Sequence, residues 1–182
     1  MNEQTPNEQL PGEQTPEFSR LVPLARLGWQ PLRTTIEATA AERERLAQRF
    51  DLVAFARLCA VVTLQRVGSE QIRLEAAFEA EFVQSCVVTL DPVPGRIAQT
   101  FSLVYGPPED QQAEIEIDVD APVFEPLTGD AIDIGEAVAQ ELSLALPEFP
   151  RLPDAVVDPA AAPESEDGPF AALERLRRAM QH

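Results

Sequence analysis

Hydropathy alternates with a period of two through the middle of the chain. From Gln71 to Phe82, Ile72, Leu74, Ala76, Phe78, Ala80 and Phe82 fall on one side and Arg73, Glu75, Glu79 and Glu81 on the other. That is the pattern of an antiparallel strand with one buried face. Leu52 to Val67 shares the period, and Val67-Gly68-Ser69 between the two runs predicts a hairpin. A third run holds Ile97, Phe101, Leu103 and Tyr105, after a connection containing Pro92, Pro94 and Gly95. A fourth, AEIEIDVDA over 113–121, alternates acid with aliphatic and reads as an edge strand whose charges discourage pairing. Upstream, SRLVPLARL with its early proline suits an edge strand, and the β-branched run Pro31 to Ala38 suits another.

The helical period appears three times. Thr39-Ala40-Ala41-Glu42 has capping-box spacing, so a helix is expected over AAERERLAQRF, with Leu46 and Phe50 inward and Glu42, Arg43, Arg45 and Arg49 mostly outward. Asp133 is placed to cap a second helix with Glu136 at its third position; Ile134, Val138, Leu142 and Ala145 form its stripe, and Pro147 stops it. Gly135 in that first turn is read as a small helix-propensity cost. The third stretch, PFAALERLRRAM, starts with proline and carries a stripe of Phe170, Leu173, Leu176 and Met180, with Arg175, Arg177 and Arg178 near its carboxyl end.

These elements divide the chain into an acidic, disordered tail at 1–17, a body at 18–151, a flexible linker at 152–168 and an amphipathic helix at 169–182. The tail repeats NEQTP, NEQLP and GEQTP, too polar to offset the entropy of ordering. The linker is rich in Pro, Ala and acid. The fold class is α+β: a mainly antiparallel sheet or partly closed barrel with two or three helices.

Charge changes the picture next. All 14 basic residues are Arg, against 31 acids, giving a net charge of −17. Such a field repels phosphate backbones unless arginines gather on one face. They are unevenly placed: nine lie between Arg20 and Arg73, and none lies from Ile97 to Pro150, where twelve acids do. That polarity suits a basic partner such as a ribosomal protein, or serves solubility alone. The N-terminus has no basic and apolar segments of a secretory signal, and no stretch approaches the ~18 apolar residues of a membrane span. With two cysteines in the chain, the expected location is the cytoplasm, both thiols reduced.

Candidate chemistry is sparse. Cys59, Cys86 and His182 cannot supply the four soft ligands of a structural zinc site, and no EF-hand loop or glycine-rich phosphate loop is present. A Ser-His or Cys-His pair lacks a plausible base. Cys86, beside Val87 and Val88, is expected to be a small buried hydrophobe with a raised pKa. Composition and motifs thus point away from an enzyme, and no cofactor, metal or small-molecule substrate is implied.

Three stretches resemble the bacterial and plastid family called YceD or DUF177. Gln84-Ser85-Cys86-Val87-Val88-Thr89-Leu90-Asp91-Pro92-Val93 looks like its C-x-R-C-L-x-P-V pattern; Phe101 to Tyr105 matches an F-x-x-x-Y; and Ile132-Asp133-Ile134-Gly135-Glu136 through Glu141, Leu142, Leu144 and Leu146-Pro147 resembles I-D-L-x-E…E-x-x-L-x-L-P. The closing Phe170, Leu173 and Leu176 resemble the P-F-x-x-L-x-x-L ending of one branch. The resemblance implies a non-enzymatic factor in large ribosomal subunit biogenesis. Its partners would be a large-subunit rRNA precursor, a basic ribosomal protein, or both. Binding positions it implies are Gln84, Cys86, Thr89, Pro92, Tyr105, Asp133, Glu136 and Glu141, with Phe170, Leu173 and Leu176 on a docking helix. Thr89 stands where the family has a second cysteine, and no C-x-x-C follows Pro150, so a metal or thiol role of those cysteines does not carry over. The alternative is an acidic protein-interaction or chaperone-like module without RNA contact.

Overall fold

Three long strands, each built on the period-two pattern, set the frame. In the computed structural model, which describes residues 16–68, 70–107 and 123–156, β3 (Ala54–Val67), β4 (Gln71–Ser85) and β5 (Pro92–Gly106) form an antiparallel meander. β2 (Leu32–Glu37) adds to β3, and β6 (Val123–Pro126) runs parallel beside the end of β5, giving the order β2-β3-β4-β5-β6. The sheet is open, with β2 and β6 at its edges, which decides against a barrel. The hairpin predicted around Gly68 forms, with that glycine at φ +71°, a value most side chains resist. Residues 113–121, the expected acidic edge strand, and the segment 169–182 lie outside the described residues.

One strand boundary differs from the sequence reading. β5 begins at Pro92, so Pro92, Pro94 and Gly95 belong to the strand and not to the connection before it. A central strand would exclude prolines, but among the described residues only β4 flanks this half of β5, since β6 pairs no earlier than Leu103. Pro92 and Pro94 share a parity, so both ring nitrogens fit on the open edge where no donor is needed. Gly95 admits the Phe82 ring, which lies 2.5 Å from where a Cβ would stand.

One face of the sheet is the core. Leu58, Val62, Leu64, Ile72, Leu74, Phe78, Ala80 and Phe82 are buried there, so the alternation seen in the sequence is the alternation of burial. Helix α1 (Ala40–Arg49) packs on β3 through Leu46, its one buried residue. Helix α2 (Ile134–Ala145) buries Ile134, Val138 and Leu142 and touches β4 and β1 (Leu21–Pro23). β1 pairs with β7 (Ala131–Asp133) in a separate two-stranded ribbon. The body extends beyond the expected limits at both ends: Glu17 bonds Arg49, and Ala155 is buried.

The two helices meet at the segment Glu17–Arg20. Asp133 caps α2 by accepting the Gly135 and Glu136 amides at 3.0 and 3.2 Å, and the same carboxylate accepts the Arg20 amide at 2.7 Å and the Ser19 hydroxyl. Arg20 reaches on to α1, donating to both oxygens of Glu42 at 2.6 and 3.0 Å and to the Glu37 carbonyl. Glu42 also closes the capping box on Thr39, so it points inward where the sequence pattern had it mostly outside. Arg49, at the far end of α1, bridges Glu17 and Glu136 at 2.9 Å each.

Gly135 is not the small cost that propensity implies. A Cβ there would stand 2.5 Å from the Phe18 carbonyl oxygen and 3.0 Å from the Arg20 nitrogen. Propensity alone favours alanine by about 1 kcal/mol; backbone cannot yield as a side chain can, so the clash wins. Gly135→Ala is expected to lose about 2–3 kcal/mol in urea unfolding, and a neutral or stabilising result would refute the close approach.

Glu42 is held at about 2, below its ordinary 4.5, first by the Arg20 hydrogen bonds and then by the Thr39 amide and hydroxyl. A depressed carboxylate contributes stability above pH 4.5 and loses it as pH falls from there toward 2. Arg20 is partly solvated, so the contribution at pH 7 is about 1–2 kcal/mol. Glu42→Gln should lose that amount at neutral pH and converge with the parent near pH 2. Parallel stability curves across that window would contradict the clasp.

Candidate functional site

The positions marked by family resemblance separate into two groups at opposite ends of the β4–β5 hairpin. At the β4 exit lie Gln84, Cys86, Thr89 and Pro92. The turn is fixed by backbone bonds: the Cys86 amide donates to Asp91 O at 2.8 Å, and the Leu90 amide to Cys86 O at 2.9 Å. Leu90 adopts φ +64° to allow it. The chain leaving α2 is tied to the same place. Gln84 Nε2 donates to Pro147 O at 3.1 Å, and the Val87 amide to Pro150 O at 2.9 Å.

Cys86 is fully buried, as expected, but its thiol is not raised. It is lowered from 9.0 to about 7 by a hydrogen bond from the Thr89 hydroxyl, then by amides of Leu152, Thr89 and Val88. Apolar neighbours in sequence suggested the opposite. In space, a tight turn aims backbone donors at the sulfur, and donors favour thiolate. Thr89 thus occupies the second-cysteine position as a hydroxyl partner of the first. Among the described residues no group of three or more His, Cys, Asp or Glu is placed to hold a metal ion.

At the other end lie Tyr105, Asp133, Glu136 and Glu141, joined by Glu125, which the sequence reading did not single out. β6 carries Glu125 there; a four-residue parallel strand shows too little alternation to be read from sequence. Tyr105, Glu125, Asp133 and Glu136 line a cleft of about 300 Å³. Burial first, and then Glu125, Asp133 and Glu141, push the Tyr105 hydroxyl up to about 12. Glu141 is raised by burial and by Glu125. Asp133 is committed to its cap and Glu136 to Arg49, whereas Glu125 and Glu141 make no ion pair among the described residues. The result is a concentrated negative field around a phenol that stays protonated at neutral pH. Such a field favours cations.

A third surface was legible only as polar strand positions. The sheet face away from the core carries Arg33, Arg57, Arg73 and Arg96 interleaved with Glu75, Glu79 and Glu81, over a floor of small residues that includes Thr63, Ala77 and Thr100. Glu79 stands between Arg57 and Arg96, at 3.7 and 3.5 Å. Arg33 and Arg73 make no ion pair among the described residues. Two shallow depressions of about 740 and 450 Å³ cross this face, a shape for a macromolecular surface more than for an enclosed small molecule. Phe170, Leu173 and Leu176 lie outside the described residues. No helix among the described residues is long and apolar enough to cross a membrane.

The Cys86 turn gives a measurable signature. Thiolate absorbance at 240 nm should titrate near pH 7 in the folded protein, and Thr89→Val should move that midpoint upward. Because the folded thiol is more acidic than the unfolded one, its ionisation adds stability as pH rises from 7 to 9. Cys86→Ser should lack that rise. A midpoint near 9 in the parent would show that the donors do not act on the sulfur.

A protein-family model described as large ribosomal RNA subunit accumulation protein YceD matches residues 74–177. No match was found among curated proteins or among solved structures. The matched span takes in the Cys86 turn, Tyr105 and the Asp133 cap, and it covers more than half of the chain. The chain belongs to the YceD family of large ribosomal RNA subunit accumulation proteins.

Proposed function

We propose that this protein is a non-enzymatic assembly factor for the large ribosomal subunit, acting in the cytoplasm. It would support rRNA accumulation by holding a basic ribosomal protein. The observation that carries the partner class is the acidic end of the body. Glu125 and Glu141 sit close enough to raise Glu141 together with its burial, and no arginine occurs between residues 97 and 150. A lysine- or arginine-rich segment would relieve that repulsion, and the net charge of −17 would steer it in.

The arginines of the open sheet face favour a second contact, with the rRNA precursor itself. Arg57 and Arg96 share Glu79, so phosphate positioning without base readout would fall to Arg33 and Arg73. The long-range charge opposes this contact, so it would follow capture of the basic protein. A binder without RNA contact is the competing outcome.

Two measurements separate these readings. Deletion should lower large-subunit rRNA, and the tagged protein should co-sediment with large-subunit precursors. Normal rRNA with no precursor association would overturn the proposal. Glu125→Gln/Glu141→Gln should weaken capture of a basic large-subunit protein about tenfold at low salt. Arg33→Ala/Arg73→Ala should reduce the salt dependence of binding to a pre-rRNA fragment. No RNA affinity even at low salt leaves the protein-only module.

A further inference from the structure

The foot of the body, where α1, β4 and the exit of α2 converge, has a groove that no described residue fills. About 390 Å³ in volume, it is lined by Phe50, Asp51, Ser85, Val87, Leu146 and Glu148, among others. Its surroundings hold an unusual share of uncovered apolar surface. Val87, in the lining, is 51% exposed; Phe149, between the lining residues Glu148 and Pro150, is 77% exposed. Leu144, beside the lining residue Ser143, is 80% exposed. An exposed apolar side chain in the groove, with two more next in sequence to its lining, suits a docking surface.

The groove is also electronegative. Asp51 and Glu148 line it. The carboxyl end of α2 contributes Ser143 and Leu146 to the lining and has no basic residue in its final turn, so the negative end of the helix dipole is not offset from within the helix. An occupant should therefore be apolar on one side and basic on the other.

We propose that residues 169–182 of this same chain dock in this groove as an amphipathic helix. Phe170, Leu173, Leu176 and Met180 recur at helical spacing, and Arg175, Arg177 and Arg178 follow, which matches both requirements. The tether also fits. Arg151 donates twice to the Ala155 carbonyl at 3.1 and 2.6 Å, the Val87 amide holds Pro150, and Ala155 is buried. The chain is thereby fixed at the foot of the body up to that point. Twelve residues separate Val156 from Pro169; coil scaling for that length gives about 20 Å, within reach of the groove. Tethering gives an effective concentration in the millimolar range, so a weak intrinsic affinity is enough. The family match runs to residue 177, placing most of this segment in the same family unit as the groove. The open sheet face is the poorer receptor, because its centre is Thr63, Ala77 and Thr100 and lacks large exposed apolar side chains.

The test is made in the full chain. Leu173→Asp/Leu176→Asp should shift the amide resonances of Ser85, Val87, Ser143 and Glu148 and raise their hydrogen exchange about tenfold, while Ala77 and Thr100 are unmoved. Glu148→Arg should do the same more weakly and need no change in the segment. A synthetic 169–182 peptide added to the Asp double variant should restore the parent shifts. Perturbation confined to Ala77 and Thr100 would place the segment on the open face, and no perturbation anywhere would show it undocked; either overturns the proposal. Loss of the parent shifts on dilution would mean that a second copy supplies the segment, which also refutes docking within one chain.

Discussion

One carboxylate holds the architecture together. Asp133 ends β7, starts α2 and fastens the N-terminal segment, accepting the Arg20 amide, the Ser19 hydroxyl and two helix amides at once. A capping side chain is ordinarily worth about 1 kcal/mol. Here its removal would orphan four donors from two distant parts of the chain, and orphaned donors are the larger cost. Gly135 lets the N-terminal backbone lie directly on the helix start, and Arg20 and Arg49 carry the connection across to α1. The residues resembling I-D-L-x-E are therefore explained first as structure: Ile132 and Ile134 fill the core, Asp133 caps, and Glu136 pairs.

That constraint shapes where function can reside. With the core side of the sheet covered by α1 and α2, the surfaces left are the open sheet face, the acidic end beside Tyr105 and the apolar foot below the Cys86 turn. The three differ in chemistry: arginines over small residues, carboxylates around a phenol, and exposed hydrophobics beside an uncompensated helix end. We propose that these surfaces hold partners, with charge supplied by the described carboxylates and arginines outside the caps and the five ion pairs. Membership of the YceD family gives that holding a setting in large-subunit rRNA accumulation.

The Cys86 turn shows how a tight turn sets the chemistry of a buried side chain. Thr89 donates to the sulfur, so the thiol has a lowered pKa, and among the described residues no metal-ligand cluster is present. The Thr89 hydroxyl is the first of these donors, and the amides of Leu152, Thr89 and Val88 add to it.

By itself the sequence determined the elements whose cause is local. Period-two alternation placed β3 and β4 and named their buried faces; Thr39, Glu42 and Asp133 named the helix starts; Gly68 named the hairpin. Each depends on residues within a few positions of one another, where covalent geometry already limits the outcome. Only the tertiary structure decided what depends on distant segments meeting. Proline enters β5 because the neighbouring edge is open, and Glu125 joins Tyr105 through a short parallel strand. Gly135 is required because Phe18 and Arg20 lie across it, and Cys86 is acidified by amides from residues up to Leu152. Glu42 turns inward because Arg20, twenty-two positions earlier, arrives beside it. Such contacts are set by the packing of layers, and no local pattern encodes which partner a layer will bring.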